Sequence, residues 1–180
     1  MTLTLPKELT NLAYFGHGPH ESYTDRKLGA PLGAYETTVD ETFVPYLAPS
    51  ENGARAGVRW CALTNAAGKG LLVSPACNGE TFLFSAHRFT PHDLHKATHP
   101  HEVPLRDEVT LCVPLRDEVT LCVDHQHMPC GGNDSWSRSQ LDQYLIKSGT
   151  HTYSIRLSPV SPGSIGRPQK PPGNITGPFR

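Results

Sequence analysis

The residues of this chain best suited to chemistry lie in the run Gly131-Gly132-Asn133-Asp134-Ser135-Trp136. A sugar presents an apolar C–H face, and an indole offers a broad, rigid surface with one N–H donor. A Trp on a Gly-rich loop can therefore form one wall of a saccharide pocket. The competing reading of Trp136 is a core residue that fills the interior. A second block, GHGPHESYTDR from Gly16 to Arg26, reads as a loop whose glycines and proline set the backbone path. Its Glu21, Asp25 and Arg26 are available for hydrogen bonds and ion pairs. The first expectation is a clasp of Arg26 and Asp25 that holds the loop against the domain, and the second is direct contact with a sugar. Ser50-Glu51-Asn52-Gly53 with Arg55 reads as a turn and packing element, because Asn and Gly tolerate positive φ.

Ten histidines raise the question of a metal site. His95 and His99 stand at i, i+4, which places both on one face of a helix. His125-x-His127 would point to one side of a strand. Neither spacing comes with a carboxylate or Cys cluster of known pattern, so the expectation is hydrogen-bonded or solvated histidines and no metal on this chain. The five cysteines, Cys61, Cys77, Cys112, Cys122 and Cys130, form no C-x-x-C pair. With no secretory leader in MTLTLPKELT, they are expected as reduced thiols and the compartment as cytoplasmic. Glycoside hydrolysis by the retaining route needs two carboxyl groups about 5–5.5 Å apart. No such pair can be nominated here, and no catalytic residue is assigned.

The elements that must position these groups are short. Segments alternating apolar and polar residues between Gly- and Pro-rich turns point to an all-β fold, an antiparallel sandwich with one short helix. Val58 to Leu63 and Gly70 to Val73 flank the turn NAAGKG as a hairpin, and Thr81 to Arg88 forms a further strand. Thr90-Pro91-His92-Asp93 is a helix start, with a hydroxyl cap, Pro at the first position and an acid at the third, which predicts a helix over 91–98. Gln143 to Lys147 and Thr150 to Leu157 surround Ser148-Gly149 as a second hairpin. Net charge is −1 in 180 residues, which gives no electrostatic case for nucleic acid or an anionic membrane. Six of the 17 prolines lie between Pro159 and Pro178, so residues 160–180 are expected as a disordered tail behind a sandwich domain at 1–159.

VPLRDEVTLC occurs at Val103 to Cys112 and again, unchanged, at Val113 to Cys122. Ten is even, so a strand through either copy keeps its alternation: Val109, Leu111 and Val113 are equivalent to Val119, Leu121 and Val123. Either copy can occupy a single strand position, and the other must bulge out or form an edge.

Three blocks in this order, NLAYFGHGPHESYTDR (11–26), YLAPSENGARAGVRW (46–60) and CGGNDSWS (130–137), resemble the C-terminal small-chain domain of the large multidomain β-galactosidases. The resemblance spans about residues 11–159. It implies a galactose-mutarotase-like supersandwich, incomplete at its N-terminal side. It also implies a part in hydrolysing terminal β-D-galactosides such as lactose, with a catalytic barrel or large chain as partner in an oligomeric assembly. The family's catalytic carboxylates and magnesium ligands come from that barrel, so the chain alone is expected to be inactive and to hold no cofactor. Trp136, with Asp134 and Asn133 beside it, is implied as substrate-binding. The family has Asp where Asn133 stands, and Asn-Tyr-Pro-Asp-Arg where this chain has Ser22-Tyr23-Thr24-Asp25-Arg26. His99 and His127 match family histidines that lean structural. The alternative is a non-catalytic carbohydrate-binding or interaction module.

Overall fold

A computed structural model describes residues 1–77, 79–103, 118–131 and 140–163. Nine strands are named among them: β1 Thr2–Pro6, β2 Asn11–His17, β3 Leu32–Thr38, β4 Arg55–Val58, β5 Trp60–Thr64, β6 Gly70–Pro75, β7 Phe82–His87, β8 Glu118–Asp124 and β9 Ile155–Val160, with one α-helix, α1 Pro91–Lys96. They form two antiparallel sheets, β1-β8-β7-β4 and β3-β2-β5-β6-β9. No described helix is long and apolar enough to cross a membrane.

The period-2 pattern sets which side chains the sheets bury. In β2, Leu12 and Tyr14 point inward while Ala13 and Phe15 face out. Cys61, Leu63 and Val73 join them from the same sheet. Val58, Phe82, Phe84, Ala86, Val119, Leu121 and Val123 come from the other. The Tyr14 ring meets Phe84 of the opposite sheet edge-on at 5.4 Å between centroids, and Tyr35 of its own sheet at 5.3 Å, so one ring ties the two sheets together. A smaller core on the outer face of the β8-bearing sheet gathers Phe89, Leu94 and Val103 against Phe43.

The second repeat copy builds β8. Val119, Leu121 and Val123 are fully buried, and the strand is paired with β1 on one side and β7 on the other. Residues 104–117, which hold most of the first copy, lie outside the described residues, as does the tail from 164 on. β9 runs to Val160, one residue beyond the expected domain boundary.

The β5–β6 hairpin, the β7 strand and the capped helix follow the sequence reading. Asn65 Oδ1 closes the hairpin turn by accepting from the amides of Ala67 and Lys69, both at 3.0 Å. Thr90 Oγ1 accepts from the Asp93 amide at 3.2 Å while Asp93 Oδ2 accepts from the Thr90 amide at 2.9 Å.

Three expectations are corrected. The hairpin around Ser148-Gly149 does not form: Asp142–Tyr144 is a single 3-10 turn, and β9 pairs instead with β6 over six positions, Gly70↔Val160 to Pro75↔Ile155. The long edge of β6 offers a ready ladder, which outcompetes a local turn whose first arm has Leu145 and Ile146 partly exposed and no face to bury. The helix stops at Lys96 with Ala97 extended, so His95 and His99 do not share a helical face. His99 precedes Pro100, which holds it in an extended conformation. β8 ends at Asp124, so His125 and His127 are not strand residues either.

Candidate functional site

The block Tyr23-Thr24-Asp25-Arg26 folds as a tight turn. Tyr23 N donates to Arg26 O at 3.0 Å and Arg26 N returns the bond to Tyr23 O at 3.1 Å. Such a closed loop leaves its two central side chains at the tip, and both reach the same neighbour. Thr24 Oγ1 donates to His127 O at 3.4 Å. Asp25 accepts from the Cys130 amide at 3.1 Å on Oδ1 and from the Gly131 amide at 2.8 Å on Oδ2. One carboxylate thus satisfies two successive backbone donors, and a charged acceptor makes each bond stronger than a neutral one. Gly131 takes φ +75°, a left-handed geometry that Gly adopts without a Cβ penalty.

The turn is held from behind by Glu21. Its nearly buried carboxylate accepts from the Tyr23 hydroxyl at 3.2 Å and the Gly53 amide at 2.8 Å, and also from Arg26 Nη2 and the Tyr46 hydroxyl. Arg26 also donates to Tyr46 Oη at 3.1 Å and lies over the Tyr23 ring. The expected Arg26–Asp25 clasp is therefore corrected: Arg26 pairs with Glu21, which frees Asp25 for the amides. Burial, and then the nearby Glu21 charge, push the Tyr23 hydroxyl far above its usual range, so it stays a donor.

Beneath the turn the 50–55 segment is fixed by buried polar groups. Gly53 has φ +72°, and a Cβ there would lie 2.3 Å from His87 Cε1, so both its conformation and its surroundings require glycine. Arg55 is buried. It donates through Nε to Tyr14 Oη at 3.1 Å and through Nη1 to the carbonyls of Gly53 and Ala54 at 3.0 and 3.2 Å. His87 donates from Nε2 to Asn52 O at 3.1 Å and stacks on Phe89. Desolvation lowers its pKa to about 4, with the Arg55 charge acting the same way. Ser22, one of the departures from the family motif, is also used: its hydroxyl donates to His17 O and accepts from the Ala56 amide at 2.9 Å.

The segment that receives Thr24 and Asp25 carries further groups. His127 Nε2 lies 3.9 Å from Glu51 Oε1, and its ring sits 5.8 Å from that of Tyr23. Burial raises the Glu51 pKa, opposed in part by His127. Burial, then the Asp25 charge, push the Cys130 thiol up to about 11, so it is protonated at neutral pH. His125 stacks on Tyr153 at 5.0 Å. A cleft of about 510 Å³ opens alongside, lined by Thr24, Lys27, His125, His127, Asp142 and Lys147 among others. Leu28 and Leu47 project from the two neighbouring loops almost fully exposed.

Trp136, Asp134 and Asn133 lie outside the described residues. The residues that sequence reasoning missed are Thr24, Cys130 and Gly131 as a linked set, together with Tyr46. The motif order hinted at the set, because blocks 11–26 and 130–137 are distant in sequence yet each combines two glycines with polar side chains. Among the described residues no three His, Cys, Asp or Glu side chains converge as a metal would need.

Comparison with known proteins gives a concordant result. A family model described as the β-galactosidase small chain matches residues 1–157. A β-galactosidase of Photobacterium profundum is 34% identical over 159 residues, covering 88% of this chain and 14% of that protein. One from Vibrio cholerae is 36% identical over 157 residues, covering 87% of this chain and 13% of its own length. One from Priestia megaterium is 32% identical over 159 residues, with 87% and 14% covered. The chain thus spans about one seventh of the length of these relatives.

Proposed function

Because this chain belongs to the β-galactosidase small-chain family, we propose that it completes the sugar site of a catalytic barrel on a larger chain. The enzyme so formed hydrolyses terminal β-D-galactosides such as lactose, as one part of an oligomeric assembly. Trp136 supplies one wall of the sugar site, with Asp134 and Asn133 as polar neighbours. The observation that supports this reading most is the linked loop end. Glu21 and Asp25 join the 20–26 turn to the 50–55 loop and to the backbone at Cys130 and Gly131, five residues before Trp136. A site that must hold a sugar needs its contributing loops fixed by their own hydrogen bonds.

In this reading the acid and the nucleophile come from the barrel. Two carboxylates of the linked loops have structural partners: Glu21 joins loops and Asp25 holds amides. Exposed Leu28 and Leu47 on the adjoining loops are the apolar contacts offered to the large chain.

The test is reconstitution. The Photobacterium profundum relative, with its 159 matching residues removed, is co-expressed with this chain and assayed on a chromogenic galactoside. The expected result is activity that depends on both chains, and none from this chain alone. A stable two-chain complex without turnover would overturn the proposal. Tight galactoside binding by the isolated chain would favour the free-standing carbohydrate-binding module.

A further inference from the structure

We infer that the sandwich has an open strand position beside β1, and that an extended segment of the larger chain, with apolar residues at alternate positions, fills it by adding to the four-stranded sheet. The inference rests on the proposed function for the identity of that partner; the open position itself stands on register and exposure among the described residues.

The two sheets are unequal on one side. Tyr14 of β2 meets Phe84 of β7, which sets these two strands across the core from each other. Arg55 of β4 also reaches the Tyr14 hydroxyl, so the β4 end of one sheet lies over the β3–β2 end of the other. Away from that end the four-stranded sheet continues from β7 with β8 and β1, whereas the larger sheet continues from β2 with β5, β6 and β9. The larger sheet therefore overhangs by β9. Register gives the consequence. Leu157 is paired with Val73, and directly opposed residues share a face, so Leu157 points to the core side. Val73 is fully buried, yet Leu157 is 45% exposed. On β1, Leu3 and Leu5 oppose the fully buried Leu121 and Val119 but are themselves only partly covered. Core-facing side chains at the rims of both sheets are thus left open where a further strand beside β1 would lie.

The free edge of β1 is ready to pair. Met1 and Val123 exchange both backbone bonds, each at 2.8 Å. Antiparallel ladders alternate, so Leu3 and Leu5 also turn their amides toward β8, while those of Thr2 and Thr4 face away from it. Among the described residues no strand takes them. Sheet edges are commonly blunted by charge, a bulge or proline. β1, TLTLP, carries no charge, and its one proline stands at its end. An added strand would bond to the outward amides and carbonyls of Thr2 and Thr4, and its inward side chains would cover Leu3, Leu5 and Leu157. That requirement specifies an extended segment with alternating apolar residues. The larger chain is its source, because most of the relatives' length lies beyond the part that matches this chain.

The experiment mixes the full chain with the Photobacterium profundum relative lacking its 159 matching residues, and compares the parent with Thr4→Pro, Thr4→Val and Leu157→Asp. Hydrogen exchange by mass spectrometry reads the Thr4 amide, sedimentation reads the size of the free chain, titration reads the affinity, and a chromogenic galactoside reads turnover. Thr4 is expected to exchange freely in the free chain and about tenfold or more slowly in the complex. Thr4→Pro removes one outward N–H and leaves the β8 ladder intact, so it should weaken the complex about tenfold while the free chain melts within a few degrees of the parent. Thr4→Val keeps the amide and should bind like the parent. Leu157→Asp puts a charge on the open rim and should weaken the complex at least as much as Thr4→Pro. An active complex in which Thr4 exchange is unchanged and Thr4→Pro binds normally would overturn this inference and leave the proposed function standing. A complex that protects Thr4 and is weakened by Thr4→Pro, yet has no turnover, would uphold the inference and overturn the sugar-site reading. Absence of any complex would overturn both. Thr4 already protected in the free chain would show the position filled from within this chain, and a free dimer dissolved by Thr4→Pro would assign it to a second copy; either result overturns the inference.

Discussion

Tyr14 shows how one side chain serves both core and site. Its ring packs on Tyr35 and Phe84, while its hydroxyl accepts from buried Arg55. Tyr14→Phe should keep the packing and remove one partner of a buried cation, costing about 1–3 kcal/mol in chemical denaturation. A stability within error of the parent would show that Arg55 finds a replacement acceptor. His87 yields a pH prediction. Its folded pKa of about 4 lies below the ordinary value of about 6.5, so the unfolded chain binds more protons between those limits. The contribution is present in full above pH 6.5 and is lost as pH falls toward 4, amounting to about 3 kcal/mol over that window. Glu51, with a raised pKa, acts in the opposite sense and favours the folded state as pH falls. Melting curves for the parent and His87→Gln should diverge from pH 7 to pH 4, with the variant showing the flatter profile. Parallel profiles would mean that His87 does not titrate against folding.

At the scale of elements, the duplicated segment is the most testable feature. β8 is made from Glu118–Asp124, and deletion of Val113 to Cys122 would join Cys112 to Val123, restoring the same strand sequence from the first copy. Val109 and Leu111 would then fill the places of Val119 and Leu121, paired with β1 and β7 as before. Thermal melting within a few degrees of the parent is expected, and a large loss would show that both copies are built into the core. The inward phase of this strand was readable because alternation depends only on local order. So were the β5–β6 turn, where Asn65 folds back on its own amides, and the capping box at Thr90. What escaped sequence reading depended on distance. β9 chose the edge of β6 over a local hairpin, and Asp25 chose two amides more than 100 residues away over the neighbouring Arg26. No short-range pattern encodes which carboxylate will be taken by Arg26 once Glu21, Tyr46 and Gly53 are brought together.

The described residues form two sheets packed over a main core, with a smaller core beside it. The chain spans about 14% of the length of its relatives, and the proposed function gives it a share in a sugar site completed by a larger chain. The claim at the centre of this account is that Trp136 touches the sugar. The most direct measurement is Trp136→Ala in the reconstituted enzyme, following galactoside KM and kcat together with the melting temperature. A loop platform predicts weakened saccharide binding or turnover with an almost unchanged melting temperature, because its contacts are made to ligand rather than to the core. A loss of about 3–5 kcal/mol of stability, with normal sugar binding by the remaining folded fraction, is what a core Trp would give and would contradict the account.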